Sequence, residues 1–151
     1  NKDEKDVQRQ IQEFEKKFKN ANVNEIASPR GTTDITKWKD TKNIYLHNVG
    51  CPIHVRGCLL FNHFLKQLNI DKKYQLIHNR EKIKFIYLKL PNPIGENVIS
   101  FIDILPPEMD LVPYIDYETQ FQKAFIKPLS IVLDAVGWTS EEKGDLNDFF
   151  A

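Results

Sequence analysis

Apolar residues recur along the chain at two periods, and the period changes where the elements change. Val7, Ile11, Phe14 and Phe18 fall at i, i+4, i+7 and i+11. That is one face of a 3.6-residue repeat, and it predicts an amphipathic helix from Asp3 to Asn20. Asp3, Glu4 and Asp6 stand in its first turn and complement the helix dipole, while Asn20 and Asn22 are stop signals. A second helix is expected from Pro52 to about Leu68, with Val55, Leu59, Leu60, Phe64, Leu65 and Leu68 as its buried stripe. Gly57 inside it costs roughly 1 kcal/mol against Ala, so close approach of another segment is expected there. From Lys82 to Leu90 the period drops to two, with Ile83, Phe85 and Tyr87 alternating with Lys82, Lys84 and Ile86, and a strand is predicted. Tyr74 to Ile77 and Val98 to Ile102 read as further strands, His78 to Glu81 as a turn, and Pro91-Asn92-Pro93 as a break.

The remaining segments read as punctuation. Ser28-Pro29-Arg30-Gly31 is turn chemistry, and Thr32-Thr33-Asp34 offers an N-cap before Ile35 to Trp38. A loop is expected through Asn43 to Gly50, and Pro106, Pro107 and Pro113 mark a rigid connector. Asp116 is expected to cap a last helix with Phe121, Phe125 and Ile126 inward. Pro128 should end or kink that helix, Leu129 to Val136 resume it, and Gly137 terminate it. These elements imply an α+β fold over residues 1–138, mainly helical with a small antiparallel β-element in the middle. A flexible tail, residues 139–151, follows.

Composition narrows the class. The 151 residues suit one domain, and 41% hydrophobic with 28% charged residues is the balance of a globular chain. No apolar run approaches the roughly 20 residues of a membrane helix, and the polar start from Asn1 to Lys19 predicts no signal peptide. Two cysteines, Cys51 and Cys58, do not make a disulfide framework and fit a reducing compartment. The zero net charge hides a split of +1 over Asn1–Lys19, +7 over Asn20–Leu90 and −8 over Pro91–Ala151. A basic stretch followed by an acidic one suggests a surface for a polyanion; a solvated, mixed surface after folding is the alternative.

No catalytic pattern stands out: there is no phosphate-binding glycine loop, nucleophile elbow or metalloprotease His-Glu pair. The acidic residues Asp103, Glu108, Asp110, Asp116 and Glu118 read as surface carboxylates rather than a two-metal site. Cys51, His54, Cys58 and His63 are the best metal candidates, but their spacing matches no familiar zinc module and packing is the competing role, so no metal or cofactor is assigned. His47 and His78 are expected to be loop or surface histidines.

Two features suggest recognition instead. Arg30, Lys37, Lys39, Lys42 and Arg56 bracket turns whose backbone N–H groups suit phosphates. Leu146-Asn147-Asp148-Phe149-Phe150 places an aliphatic anchor and two aromatics on one side of a helical turn, a peptide suited to a hydrophobic pocket. Folding back on the chain's own core is the alternative for those rings.

Several blocks resemble, in order, the C-terminal thumb of the family B DNA polymerases of T-even-type bacteriophages. They are Ile11-Gln12-Glu13-Phe14-Glu15-Lys16-Lys17-Phe18, Ile26-Ala27-Ser28, Ile35-Thr36-Lys37-Trp38, Cys51-Pro52-Ile53-His54-Val55-Arg56-Gly57, Phe125-Ile126-Lys127-Pro128-Leu129 and the terminal Leu146 to Phe150. The stretch from Asn69 to Pro113 matches loosely, and Gly50 stands where the family has a basic residue. The resemblance implies sequence-independent grip on primer–template duplex DNA, through backbone and minor-groove contacts. It carries DNA contact onto Lys37, Arg56, Lys123 and Lys127, and onto Ser28 and Gly31 in the backbone-contacting loop. It gives Leu146, Phe149 and Phe150 the docking of a sliding clamp. Further implied partners are the palm and exonuclease portions of the polymerase, and the setting is the cytoplasm of an infected bacterium. The palm and exonuclease acidic motifs are missing, so this stretch is expected to be inactive alone. With Asn1 at its start, it is expected to be either a domain of a longer polymerase or a product of a split one. A stand-alone protein-interaction module working through the aromatic tail remains the alternative, and a small zinc enzyme a further one.

Overall fold

The computed structural model describes residues 2–38 and 50–141. The chain forms two compact units, Asn1–Ala21 with Tyr117–Ala151, and Asn22–Asp116. The fold is mixed α+β, as the periodicities imply.

In the first unit, helix α1 (Lys2–Lys19) buries Ile11 and Phe18, while Phe14 keeps part of its ring in solvent. Gln8 is buried beside them, a polar residue on the inward face that the apolar stripe does not anticipate. Phe14, Phe18, Phe121 and Phe125 form one aromatic cluster with centroid separations of 4.6–6.2 Å, edge-to-face and tilted as ring quadrupoles favour. The expected break at Pro128 does not occur. Helix α4 (Tyr117–Phe121) runs through a π-helical turn, Gln122–Ile126, into α5 (Lys127–Ala135). A proline interrupts the usual i to i−4 ladder by lacking an N–H, and the wider turn just before it lets the helix continue. Ser130 Oγ donates to the Ile126 carbonyl at 2.8 Å over the same stretch. Gly137, at φ +77°, ends the helix as expected.

The second unit is built on a three-stranded antiparallel sheet in the order β1 (Ser28–Gly31), β2 (Lys82–Tyr87), β3 (Val98–Phe101). The first strand is a correction. Ser28 to Gly31 reads locally as a turn, yet it pairs Ser28 with Phe85 and Arg30 with Ile83, and its edge position tolerates Pro29. Conversely, Tyr74 to Ile77 is not a strand. The Asn62 amide donates to the Ile77 carbonyl at 2.9 Å and accepts from its N–H at 2.8 Å, so that backbone is satisfied by a side chain. After the short helix α2 (Val23–Ile26), α3 (Ile53–Gln67) crosses the sheet against β3. It buries Val55, Leu59, Leu60 and Leu65 of the expected stripe, together with Arg56, Gly57, Cys58 and Phe61; Phe64 is half-buried and Leu68 exposed. At the crossing a Cβ on Gly57 would lie 2.3 Å from Ser100 Oγ, 2.9 Å from Ser100 N and 3.1 Å from the Ile99 carbonyl carbon. Ser100 Oγ donates to the His54 carbonyl at 2.8 Å, joining strand to helix at the same point.

Candidate nucleic-acid interface

The basic residues singled out from the sequence fall into two environments. Lys37 is exposed on a 3-10 turn, Thr36–Trp38, which Asp34 caps by accepting from Thr36 N at 3.1 Å and Lys37 N at 3.4 Å. The Thr36 hydroxyl donates to the same carboxylate at 2.5 Å and is the main reason its pKa lies below the usual aspartate value. Lys37 Nζ sits 5.2 Å from the Trp38 ring centroid. Lys123, in the π turn, and Lys127, opening α5, are exposed on the first unit. Since the helix continues past Pro128, Lys127 does not sit at a helix C-terminus.

Arg56 is placed otherwise. Its side chain is 4% exposed and pairs with Glu96 at 3.1 Å, while its second terminal nitrogen donates to Asn97 Oδ1. Burial pushes its pKa below the usual guanidinium value, and the Glu96 carboxylate opposes that push. An arginine enclosed this way ties α3 to the loop before β3.

Ser28 and Gly31 are the ends of edge strand β1. Gly31 is exposed, its φ lies outside the left-handed region, and among the described residues a Cβ built on it would meet nothing within 4 Å. Neither backbone conformation nor packing among the described residues requires glycine here. Its neighbour Arg30 is also exposed, with its guanidinium carbon 5.8 Å from the Phe85 ring centroid.

The sulfur and imidazole groups do not converge. Cys58 is fully buried and its thiol is pushed up to about 12 by burial, whereas Cys51 is half-buried. Among the described residues no three His, Cys, Asp or Glu side chains gather as a metal site. His78 is exposed, as expected of a turn histidine. No helix among the described residues is long and apolar enough to cross a membrane. Lys39, Lys42, His47, Leu146, Phe149 and Phe150 lie outside the described residues.

No protein-family profile matches the chain. Among curated proteins, the DNA-directed DNA polymerase of Enterobacteria phage T4 is 30% identical over 151 residues, covering 97% of this chain and 16% of the polymerase. The DNA-directed DNA polymerase of Escherichia phage RB69 is 31% identical over 128 residues, covering 77% of this chain and 14% of the polymerase. The chain thus spans about a sixth of the length of these relatives.

Proposed function

From a chain that is related to the T-even-type phage DNA polymerases and matches one segment of them, we propose a thumb-like role: gripping primer–template duplex behind a catalytic centre carried by other parts of the polymerase. A replicative enzyme must hold any sequence, so the grip works on phosphates and groove shape rather than on base identity. Each unit contributes its own exposed cations, Lys37 in one and Lys123 and Lys127 in the other. Gly31 is the observation that carries the DNA reading. A glycine that neither its backbone conformation nor its packing among the described residues requires, on an edge strand beside an exposed arginine, is explained by close approach of an outside backbone. Arg56 leaves the set of direct contacts and serves the fold. Leu146, Phe149 and Phe150 are proposed to dock on a sliding clamp, and the palm and exonuclease portions are the proposed partners, in the cytoplasm of an infected bacterium. The chain is proposed to be catalytically inactive by itself.

Titration of labelled primer–template duplex at several salt concentrations tests the grip. Neutralisation of about three phosphates by Lys37, Lys123 and Lys127 gives a slope of log affinity on log salt of roughly −2.7. Binding should be the same for unrelated duplex sequences. Gly31→Val should weaken it without lowering the unfolding midpoint. Wild-type affinity for Gly31→Val, or strong preference for one sequence, would refute the reading. Removal of Leu146 to Ala151 should abolish clamp binding and leave duplex binding intact; a truncated chain that still binds the clamp equally well would refute the tail's role.

A further inference from the structure

Arg56 is enclosed, yet His54, in the same Cys51–Gly57 block, lies against the buried Phe85 ring, which the exposed Arg30 also contacts. Cross-strand pairing of Ser28 with Phe85 and of Arg30 with Ile83 puts Arg30 and Phe85 on one face of the sheet. Arg30 and His54 both contact the Phe85 ring, the guanidinium carbon at 5.8 Å and the imidazole centroid at 6.3 Å from its centroid. Arg30 is exposed and His54, in the first turn of α3, is half-buried. Among the described residues no carboxylate lies within ion-pairing distance of Arg30. Its charge is felt nearby: burial first and then Arg30 lower the His54 pKa, and Arg30 pulls against the burial that raises that of Tyr87.

A guanidinium laid on an aromatic ring has less rotamer freedom to lose on binding, and it matches the oxygens of a phosphodiester. A neutral imidazole beside it supplies one further N–H donor. Among the described residues nothing lies within 4 Å of a Cβ built on Gly31, next to Arg30, which suits the approach of an incoming backbone.

We propose that Arg30 and His54 together hold one phosphodiester of the bound duplex, taking the place that the sequence suggests for Arg56. This rests on the duplex-gripping role above. It raises the neutralised phosphates to about four and the expected salt slope to roughly −3.6.

Arg30→Met keeps apolar cover over Phe85 and drops the charge; His54→Gln keeps a donor of shorter reach. Both are compared with wild type, and with Lys37, Lys123 and Lys127 replaced by Ala, by duplex titration across salt. Arg30→Met is expected to lose about tenfold in affinity, the scale of one charge-assisted hydrogen bond, and about one unit of salt slope. His54→Gln is expected to weaken binding several-fold at pH 7.5 with the slope unchanged. Unfolding midpoints of both should match wild type. If the lysine variants weaken binding while Arg30→Met and His54→Gln keep wild-type affinity and slope, the assignment falls and the duplex grip stands. Absence of any binding by wild type overturns both. Inorganic phosphate at fixed ionic strength should not displace the duplex. Displacement from wild type but not from Arg30→Met would make this a free-phosphate site and overturn the duplex assignment.

Discussion

Gly57→Ala puts the helix–sheet crossing to a quantitative test. In an exposed helix the change would stabilise by about 1 kcal/mol, because alanine has the higher helix propensity. Here the new methyl would lie 2.3 Å from Ser100 Oγ, 2.9 Å from Ser100 N and 3.1 Å from the Ile99 carbonyl carbon. The hydroxyl can rotate, but that breaks its hydrogen bond to the His54 carbonyl, a net loss of about 1 kcal/mol. The two strand backbone atoms cannot rotate away, so α3 must lift off β3. Overpacking of this kind costs about 1–3 kcal/mol. The unfavourable terms outweigh the propensity gain, leaving a net destabilisation of about 1–3 kcal/mol. For a chain of this length that lowers the thermal midpoint by roughly 2–4 °C per kcal/mol. Thermal and urea unfolding followed by circular dichroism would read it. Gly57→Ala with Ser100→Ala should recover part of the loss, since the hydroxyl goes but the strand backbone stays. An alanine variant as stable as wild type, or more so, would refute the argument that Gly57 sets the distance between α3 and the sheet.

Two further outcomes follow from Arg56 and His54. Arg56→Ala removes the buried guanidinium that pairs with Glu96 and should destabilise by about 3–5 kcal/mol; urea unfolding checks this, and full stability with selective loss of duplex affinity would return Arg56 to the DNA-contacting set. The His54 pKa is lowered from 6.5 by burial and by Arg30, so as pH falls through 6.5 the unfolded chain takes up a proton that native His54 resists. The associated stability is fully present above 6.5 and is lost as pH falls towards the lower folded value. Unfolding midpoints measured between pH 7.5 and 5 should therefore fall more steeply for wild type than for His54→Gln, and parallel curves would contradict it.

The elements legible in the sequence are those whose signal is local. The stripe of α1, the run of α3 and the alternation of β2 each announce themselves within one window of residues. Strand β1 does not, because Pro29 and Gly31 look like a turn until Ile83 and Phe85 are beside them to pair. Tyr74 to Ile77 misleads in the opposite sense, an apolar run whose backbone is claimed by Asn62 rather than by a strand. Pro128 reads locally as a helix break, yet a single π turn carries the helix through it. The candidate interface shows the same division. Exposed lysines can be picked from composition and resemblance. The enclosure of Arg56 depends on Glu96 and Asn97, some 40 positions away, and the arrangement of Arg30 and His54 about Phe85 depends on three separate elements.

Gln8 has a consequence beyond its burial in α1. Its Nε2 donates to the Thr139 carbonyl at 3.0 Å, to Thr139 Oγ1 at 3.2 Å and to the Glu141 carbonyl at 3.1 Å, while Glu4 accepts from Thr139 N at 3.1 Å. The chain beyond α5 is therefore pinned to α1 as far as Glu141. Four residues lie between Glu141 and Leu146, so five Cα–Cα steps set a covalent span of at most about 18 Å. The peptide proposed to dock on a clamp would therefore begin within that distance of Glu141, and so short a tether would raise its effective concentration near this unit after each release.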